Sequence, residues 1–197
     1  MGLVVFTGGA RSGKSAAAQE LARQRALDGT PVIVAVFGEK SDPEMRARIA
    51  RHQNDRPAGF SVLEPAGVGD WQAGIPDDAL LVVDCLGTLL SQEMTREMRD
   101  ADAQGDDTVP DGYREQVEVT FDATVDALLA RRGDTIVVTN EVGDGVVPAY
   151  ASGRVFRDIL GRANRRLVAG ADSAYLCVAG RLIDLKGLPT SAKWPED

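Results

Sequence analysis

The sequence has few cysteines, a single histidine and no long apolar run. Its two cysteines, Cys85 and Cys177, lie inside apolar strand-like segments, which favours buried reduced thiols over a disulfide or a metal pair and fits a reducing compartment. No stretch reaches the roughly 18 apolar residues of a membrane span, and the beginning of the sequence does not resemble a signal peptide. We therefore expect a soluble cytoplasmic protein that does not insert into a membrane.

Positive charge is also scarce. The 22 basic residues stand against 30 acidic ones, for a net charge of −8 and a pI near 4.7. This balance argues against a general nucleic-acid surface or an anionic-membrane surface, so a phosphate site must gather its positive charge locally. The 197 residues suffice for one domain, which we predict over residues 1–187, with a loose C-terminal tail over 188–197.

Apolar runs alternate with helical patterns along most of the chain. The strand-like runs are residues 3–6, 32–37, 60–63, 79–84, 135–139 and 173–178, and amphipathic helices are predicted over 117–129 and 155–167. The pattern is typical of an α/β fold with a mostly parallel sheet flanked by helices. Residues 181–185 follow the sixth run after only Ala179 and Gly180, so we predict an antiparallel edge strand there.

Residues 8–15 match the phosphate-binding pattern G-x-x-x-x-G-K-[ST] without a mismatch, between a strand and an alanine-rich helical stretch. The candidate nucleotide-binding residues are Gly8, Gly9, Ala10, Arg11, Ser12, Gly13, Lys14 and Ser15. The glycines let backbone N–H groups surround the β-phosphate, Lys14 reaches the β- and γ-oxygens, and the Ser15 hydroxyl is placed to bind Mg²⁺. These features predict a P-loop NTPase of the RecA-like type that uses magnesium.

Two acidic residues follow predicted strands. Asp84 ends an apolar run, where P-loop proteins place a carboxylate beside the Ser15-bound magnesium ion, although a strand-end cap is the simpler alternative. Glu141 lies in the glycine-containing segment after Thr139, and ligands of open α/β sheets bind beyond the carboxyl ends of the strands. Glu141 is therefore a candidate to accept a proton from a substrate hydroxyl or to hold a metal-bound water, unless the segment is an ordinary connection.

His52 lies near the end of a predicted helix that Ser41 and Glu44 begin as a capping box and that Pro57 ends. Several arginines surround it, and the candidate phosphate-binding ones are Arg48, Arg51 and Arg56. The helix C-terminus favours a protonated imidazole, whereas neighbouring arginines favour the neutral ring that a nucleophile needs. From the residues alone, His52 is either a nucleophile at a polyphosphate site or an ordinary surface or core histidine.

Two further charged segments have several interpretations. The basic residues Arg154, Arg157, Arg162, Arg165 and Arg166 could contact another subunit, recognise a base, or form a solvated helix face in which Asp158 pairs with Arg154 and Arg162. The acidic residues 100–112 faintly resemble a calcium loop, but Asp111 stands where a bidentate Glu is expected, so a solvated surface loop is favoured.

Four blocks in this order are more specific than the P-loop alone: GGARSGKS at 8–15, the segment 42–57, TNEVGDGVVP at 139–148 and FRDILGRANRRL at 156–167. Together they resemble the bifunctional adenosylcobinamide kinase/adenosylcobinamide-phosphate guanylyltransferase family of cobalamin biosynthesis, over nearly the whole chain. The resemblance implies phosphorylation of the aminopropanol hydroxyl of adenosylcobinamide, then transfer of GMP from GTP to that phosphate with release of pyrophosphate.

The same resemblance implies roles for particular residues. By position, His52 matches the histidine that becomes guanylylated, and Asp84 stands where the family has its Walker B acid. Lys14 and Glu141 remain the other catalytic candidates, and Ser15 with Asp84 the candidate magnesium ligands, on the evidence of the residues themselves. Similar family members carry a second histidine where this chain has Arg51. ATP and GTP would be substrates, the corrinoid would be the small-molecule partner, and the assembly would be a homotrimer.

Two other classes of function compete with this interpretation. A RecA-like switch ATPase or GTPase would turn over nucleotide with a macromolecular partner and leave His52 incidental, and a regulatory module would bind nucleotide without catalysis. The arginine-rich helix around His52 is unnecessary for a switch, and the complete set of Lys14, Ser15 and Asp84 disfavours the regulatory module.

Overall fold

The computed structural model describes residues 2–38, 59–65, 67, 69–100 and 109–192. These residues form a seven-stranded sheet in the order β3-β2-β4-β5-β1-β6-β7. Every pairing is parallel except that of β6 with β7. The strands are β1 Leu3–Gly8, β2 Val32–Val36, β3 Ser61–Leu63, β4 Leu80–Asp84, β5 Thr135–Val138, β6 Ser173–Val178 and β7 Arg181–Asp184. The predicted mostly parallel sheet with an antiparallel edge strand is confirmed.

Four helices and one short 3₁₀ helix flank the sheet in the described part of the chain. They are α1 Lys14–Leu27, α2 Leu86–Asp100, α3 Tyr113–Ala130, α4 Ala151–Gly170 and the 3₁₀ helix Asp70–Gly74. The predicted helices over 117–129 and 155–167 lie inside α3 and α4, whereas α2 was not predicted. The helix predicted around His52 lies outside the described residues, as do residues 101–108 of the acidic segment.

The central strands are buried on both faces, as their continuous hydrophobicity predicted. Leu81 and Val83 of β4 pack with α2, α3 and α4, whereas Leu80 and Val82 pack on the opposite face with Ala18 and Ala22 of α1. Alternate residues of a strand point to opposite faces, so both layers need apolar side chains. Small alanines let α1 lie close to the sheet directly after the P-loop.

The C-terminal ends of the parallel strands, from which the predicted site residues follow, lie at one edge of the sheet. The C-terminal ends of β4 and β5 are level, because Asp84 pairs with Val138, and β1 extends two residues beyond them to Gly8, since Phe6 also pairs with Val138. Helices α1 and α2 begin at this edge, and so does the segment that connects β5 to α4. Parallel strands with helical crossovers place all their outgoing loops together, which is where α/β proteins bind ligands.

The β6–β7 turn contacts the same edge. Ala179 and Gly180 have φ values of 49° and 75°, as a two-residue hairpin turn requires, and the Gly180 N–H donates to the Ser12 carbonyl at 2.9 Å. The predicted Ala179-Gly180 turn is therefore confirmed, and it supports the phosphate loop. Residues 188–192 form no helix or strand.

Candidate functional site

The phosphate loop runs from Gly8, the last residue of β1, to Lys14, the first residue of α1. Gly8, Arg11 and Gly13 have φ values of 147°, 55° and 102°. Positive φ values at these three positions curve the chain into a concave loop whose N–H groups suit an anion. The Ser12 hydroxyl is buried without a hydrogen-bond partner among the described residues, and a bound phosphate oxygen would supply that partner.

Lys14 is buried at the start of α1, with only 7% of its surface exposed. Its Nζ donates to the Gly9 carbonyl at 2.7 Å and so crosses the mouth of the loop. An ammonium group in this position can also form charge-assisted hydrogen bonds to phosphate oxygens. The position fits the predicted role of Lys14 at the β- and γ-phosphates.

Ser15 and Asp84 meet although they come from different elements. The Ser15 Oγ donates to the Asp84 Oδ1 at 3.1 Å, although the two residues are 69 positions apart in the chain. The contact forms because α1, which contains Ser15, packs on β4, which ends at Asp84. The structure thus brings together the hydroxyl and the carboxylate that were predicted to flank a magnesium ion.

The donor set fits magnesium. A hydroxyl and a carboxylate are hard oxygen ligands, and Mg²⁺ in nucleotide sites takes one or two protein oxygens together with substrate phosphates and waters. Within the described ranges, no three His, Cys, Asp or Glu side chains cluster as a metal site would need. Ser15 and Asp84 would hold the ion together with phosphate oxygens of the nucleotide.

Glu141 lies beside the phosphate loop. Its N–H donates to the Gly8 carbonyl at 3.0 Å, and its Oε1 accepts a hydrogen bond from the Gly143 N–H at 2.7 Å. The backbone contact fixes the residue next to β1, and the side-chain contact leaves the second carboxylate oxygen for another donor. Glu141 is thus positioned at the same strand edge as Ser15 and Asp84.

A buried network that the sequence did not reveal positions the start of this segment. Asn164 of α4 is 5% exposed, accepts from the Thr139 hydroxyl at 2.7 Å and donates to the Asn140 carbonyl at 2.9 Å. The Cys85 thiol donates to the Asn140 Oδ1 at 3.4 Å, which links the ends of β4 and β5. The only signal in the sequence is a polar Asn164 beside the apolar positions of α4.

Two arginines of α4 hold the rest of the segment. Arg157 donates to the Gly143 carbonyl at 2.7 Å, and Arg154 donates to the carbonyls of Pro148 and Ala149. The other arginines of this helix act differently: Arg162 and Arg166 pair with acidic residues of α3. Asp158 pairs with Arg114 of α3, so the expected pairs of Asp158 with Arg154 and Arg162 are wrong.

A cavity of about 710 Å³ opens beside the strand edge, and we call it the α2–α4 cavity. Residues of α2, α3, α4 and the β5–α4 segment line it, among them Thr88, Met94, Met98, Tyr113, Phe156 and Arg157. Sequence reasoning missed this cavity because its walls come from residues far apart in the chain. Asn140 belongs to its lining and directly precedes Glu141, so the cavity adjoins the phosphate site.

The remaining predicted site residues have different outcomes. Gly9, Ala10 and Arg11 are exposed at the phosphate loop. His52, Arg48, Arg51 and Arg56 lie outside the described residues, so their roles stay predictions. Cys177 is buried and free, as predicted, and burial raises the pKa of its thiol, whereas Cys85 is also free but only half-buried. None of the helices in the described ranges is long and apolar enough to cross a bilayer.

Comparison with known proteins gives a match over most of the chain. The family model for cobinamide kinase / cobinamide phosphate guanyltransferase matches residues 4–185. The bifunctional adenosylcobalamin biosynthesis protein CobU of Escherichia coli is 33% identical over 196 residues, which cover 93% of this chain and 99% of that protein. The protein of the same name from Salmonella typhimurium is 34% identical over 192 residues, with the same coverage of both chains.

The solved structures that resemble the chain are more distant. One is a KaiC-like protein from the archaeon Pyrococcus horikoshii, with 16% identity and a TM-score of 0.45 over 89% of this chain and 70% of that protein. The family match over residues 4–185 includes the phosphate loop, Asp84 and Glu141.

Proposed function

The chain belongs to the cobinamide kinase / cobinamide phosphate guanyltransferase family, and from this premise we propose that it performs two transfers on one corrinoid. The first phosphorylates the aminopropanol hydroxyl of adenosylcobinamide with a nucleoside triphosphate, ATP or GTP. The second transfers GMP from GTP to that phosphate, which yields adenosyl-GDP-cobinamide and pyrophosphate. The observation that carries the proposal is the Ser15–Asp84 contact beside the phosphate loop, within a chain that matches the family over residues 4–185.

In the kinase step, the phosphate loop binds the triphosphate and Lys14 exchanges the Gly9 carbonyl for β- and γ-oxygens. Ser15 and Asp84 would hold magnesium, which neutralises phosphate charge when bound. Glu141 accepts the proton of the substrate hydroxyl while the oxygen of that hydroxyl attacks the γ-phosphorus. One P–O bond forms to the acceptor, and the bond between the γ-phosphorus and the β-phosphate oxygen breaks, so the nucleoside diphosphate leaves.

In the guanylyl step, His52 is the nucleophile. A neutral ring nitrogen attacks the α-phosphorus of GTP, a P–N bond forms, and pyrophosphate leaves as the bond to the β-phosphate oxygen breaks. Arg48, Arg51 and Arg56 stabilise the charge on the departing pyrophosphate. The resemblance to the family supports this assignment, and it also supports a cytoplasmic homotrimer.

Labelling with GTP tests the covalent step. The protein incubated with magnesium and α-labelled GTP should acquire an acid-labile, alkali-stable label, and His52→Gln should acquire none. The same variant should still phosphorylate adenosylcobinamide, which separates the two reactions and shows that the variant is folded. A label that persists in His52→Gln would remove His52 from the mechanism, and a wild type that leaves adenosylcobinamide unmodified would refute the proposed function.

A further inference from the structure

The α2–α4 cavity begins where the phosphate site ends. Gly87 and Thr88 line it and follow Asp84 closely in the chain, and Asn140 lines it immediately before Glu141. A molecule in this cavity would therefore extend its reactive end past the carboxylates of Asp84 and Glu141 toward the phosphate loop. A second substrate would lie at such a location, next to the phosphate site.

The walls suit a large, mostly apolar molecule with hydrogen-bonding edges. Met94, Met98, Tyr113 and Phe156 supply the apolar surface, and hydroxyl groups such as that of Thr88 supply hydrogen-bonding positions. Methionine side chains adapt to irregular shapes, and concave pockets of this size that combine apolar walls with polar groups are typical of small-molecule sites. A corrin macrocycle with peripheral amides has both kinds of surface.

Arg157 gives the cavity its charge. Among the described residues that line the cavity, it is the single ionisable side chain of positive charge, and no carboxylate accompanies it there. One of its terminal nitrogens donates to the Gly143 carbonyl at 2.7 Å. A guanidinium has five N–H donors, so this contact holds the group in place and leaves donors for a ligand.

We propose that the α2–α4 cavity is the corrinoid-acceptor site and that Arg157 binds the phosphate of the phosphorylated acceptor in the second reaction. The inference rests on the proposed function, because the two acceptors differ by that phosphate. The acceptor of the first reaction presents a neutral hydroxyl, whereas the acceptor of the second presents a phosphate dianion. One guanidinium, in a cavity whose described lining holds no carboxylate, accommodates both and strengthens binding of the second.

The charge also serves the transfer itself. An oxygen of the acceptor phosphate attacks the guanylyl phosphorus, a P–O bond forms, and the P–N bond to His52 breaks with its electron pair returning to the ring. Two anionic phosphoryl groups must approach each other in this step, so a fixed guanidinium beside one of them reduces their repulsion. Arg157 thus favours the transfer of GMP to the acceptor, whereas it takes no part in the earlier reaction that guanylylates His52.

Arg154 offers a matched control on the same helix. It also donates to backbone carbonyls of the β5–α4 segment, at Pro148 and Ala149, but its side chain is exposed and does not line the cavity. Arg154→Gln therefore removes a support of the segment and leaves the charge of the cavity intact. Arg157→Gln removes a comparable support and the charge together.

The experiment compares the binding of adenosylcobinamide and adenosylcobinamide phosphate to the wild type, Arg157→Gln and Arg154→Gln, followed by KM measurements for both transfers. In Arg157→Gln we expect Kd and KM for the phosphorylated acceptor to rise about 10- to 100-fold, the range of a lost charge-assisted hydrogen bond. Its Kd for adenosylcobinamide and its labelling by GTP should stay within about threefold of the wild type. Arg157→Lys should recover part of the affinity for the phosphate.

Two results would overturn the inference. Equal weakening of both corrinoids, matched by Arg154→Gln, would show that Arg157 only supports the segment. Unchanged binding of the phosphorylated corrinoid to Arg157→Gln would show that its phosphate lies elsewhere. Because binding is measured without turnover, a protein that binds both corrinoids yet transfers nothing would contradict the proposed function and leave the Arg157 comparison decisive.

Discussion

Replacement of Gly8 by alanine should destabilise the protein, whereas the same change at Gly9 should not. Gly8 has a φ of 147°, a conformation in which an L-residue costs about 1–3 kcal/mol. A Cβ at Gly8 would also lie 2.4 Å from the Cys177 carbonyl oxygen. That oxygen belongs to the backbone of β6, which pairs with β1 at this residue, so the overlap can be relieved only by separating the two strands.

The expected size follows from these two costs. Overpacking of a close contact adds about 1–3 kcal/mol, so strain and overlap together reach about 4 kcal/mol. In a chain of this length each kcal/mol lowers Tm by about 2–4 °C, and we expect Gly8→Ala to melt about 8–16 °C below the wild type. Gly9 does not have a positive φ, and no atom lies within 4 Å of a Cβ built on it, so Gly9→Ala should stay within about 1 kcal/mol.

Thermal unfolding followed by circular dichroism, without nucleotide, makes the comparison. The absence of nucleotide matters because bound ligand would raise Tm by mass action and hide a loss of intrinsic stability. Equal melting temperatures for the two alanine variants would refute the reasoning, since both change the same motif by the same methyl group. A crystal structure of Gly8→Ala with β1 and β6 at their original spacing around residue 8 would refute the proposed strand separation.

Two further predictions concern α2 and its contacts. Glu93 is fully buried and accepts hydrogen bonds from the Nε and a terminal nitrogen of Arg96, at 3.0 and 2.6 Å. Arg96→Ala should therefore lower the free energy of unfolding, measured in urea, by about 3–5 kcal/mol. A decrease below about 1 kcal/mol would show that the Glu93 carboxylate finds another partner. Burial, with the nearby charges of Glu97 and Glu93, raises the pKa of Tyr113 to about 12. Because the tyrosine of the unfolded chain ionises near pH 10, the contribution of Tyr113 to stability is complete below that pH and is lost between pH 10 and 12. In a titration followed by tyrosinate absorbance, Tyr113 should ionise last, and Tyr113→Phe should remove this last step. A titration that is the same in the variant would contradict the raised pKa.

The sheet was predictable because its signals are local. Runs such as Leu80–Val83 are apolar on both faces, and the turn residues Ala179 and Gly180 allow only a hairpin between β6 and β7. The phosphate loop is equally local, since its glycines, Lys14 and Ser15 lie within eight residues. The contact between Ser15 and Asp84 was predictable too, because parallel strands bring their carboxyl ends to one edge.

Helix α2 was missed because its beginning merges with a strand. Only Cys85 separates β4 from α2, so apolar residues run from Leu80 through Leu86 with a single polar interruption, and no usual capping residue marks the change of period. Thr88 instead marks the point where the strand gives way to the helix. Its hydroxyl accepts a hydrogen bond from the Cys85 N–H at 3.2 Å and donates one to the Cys85 carbonyl at 2.7 Å. A threonine that binds the backbone three residues before it is not one of the usual sequence signals for the start of a helix.

The α2–α4 cavity could not be predicted for a related reason. A cavity is defined by what its walls fail to fill, and that depends on the angles between α2, α3 and α4 rather than on the residues of any one helix. Met94 and Phe156 are ordinary core residues by their spacing, and only the structure shows that both face an open space. The sequence of α4 likewise gives Arg154 and Arg157 the same appearance, although one lies on the surface and the other lines the cavity.

The division between these two arginines explains how the fold can serve two acceptors. The strand edge holds the phosphate loop, Ser15 and Asp84 together, with residues that the sheet keeps in fixed positions. The cavity is built from helices and from one connecting segment, so its chemistry can change without disturbing the phosphate loop. A single charge such as Arg157, placed in that second layer, can therefore distinguish a phosphate from a hydroxyl while leaving the chemistry at the phosphate loop unaltered.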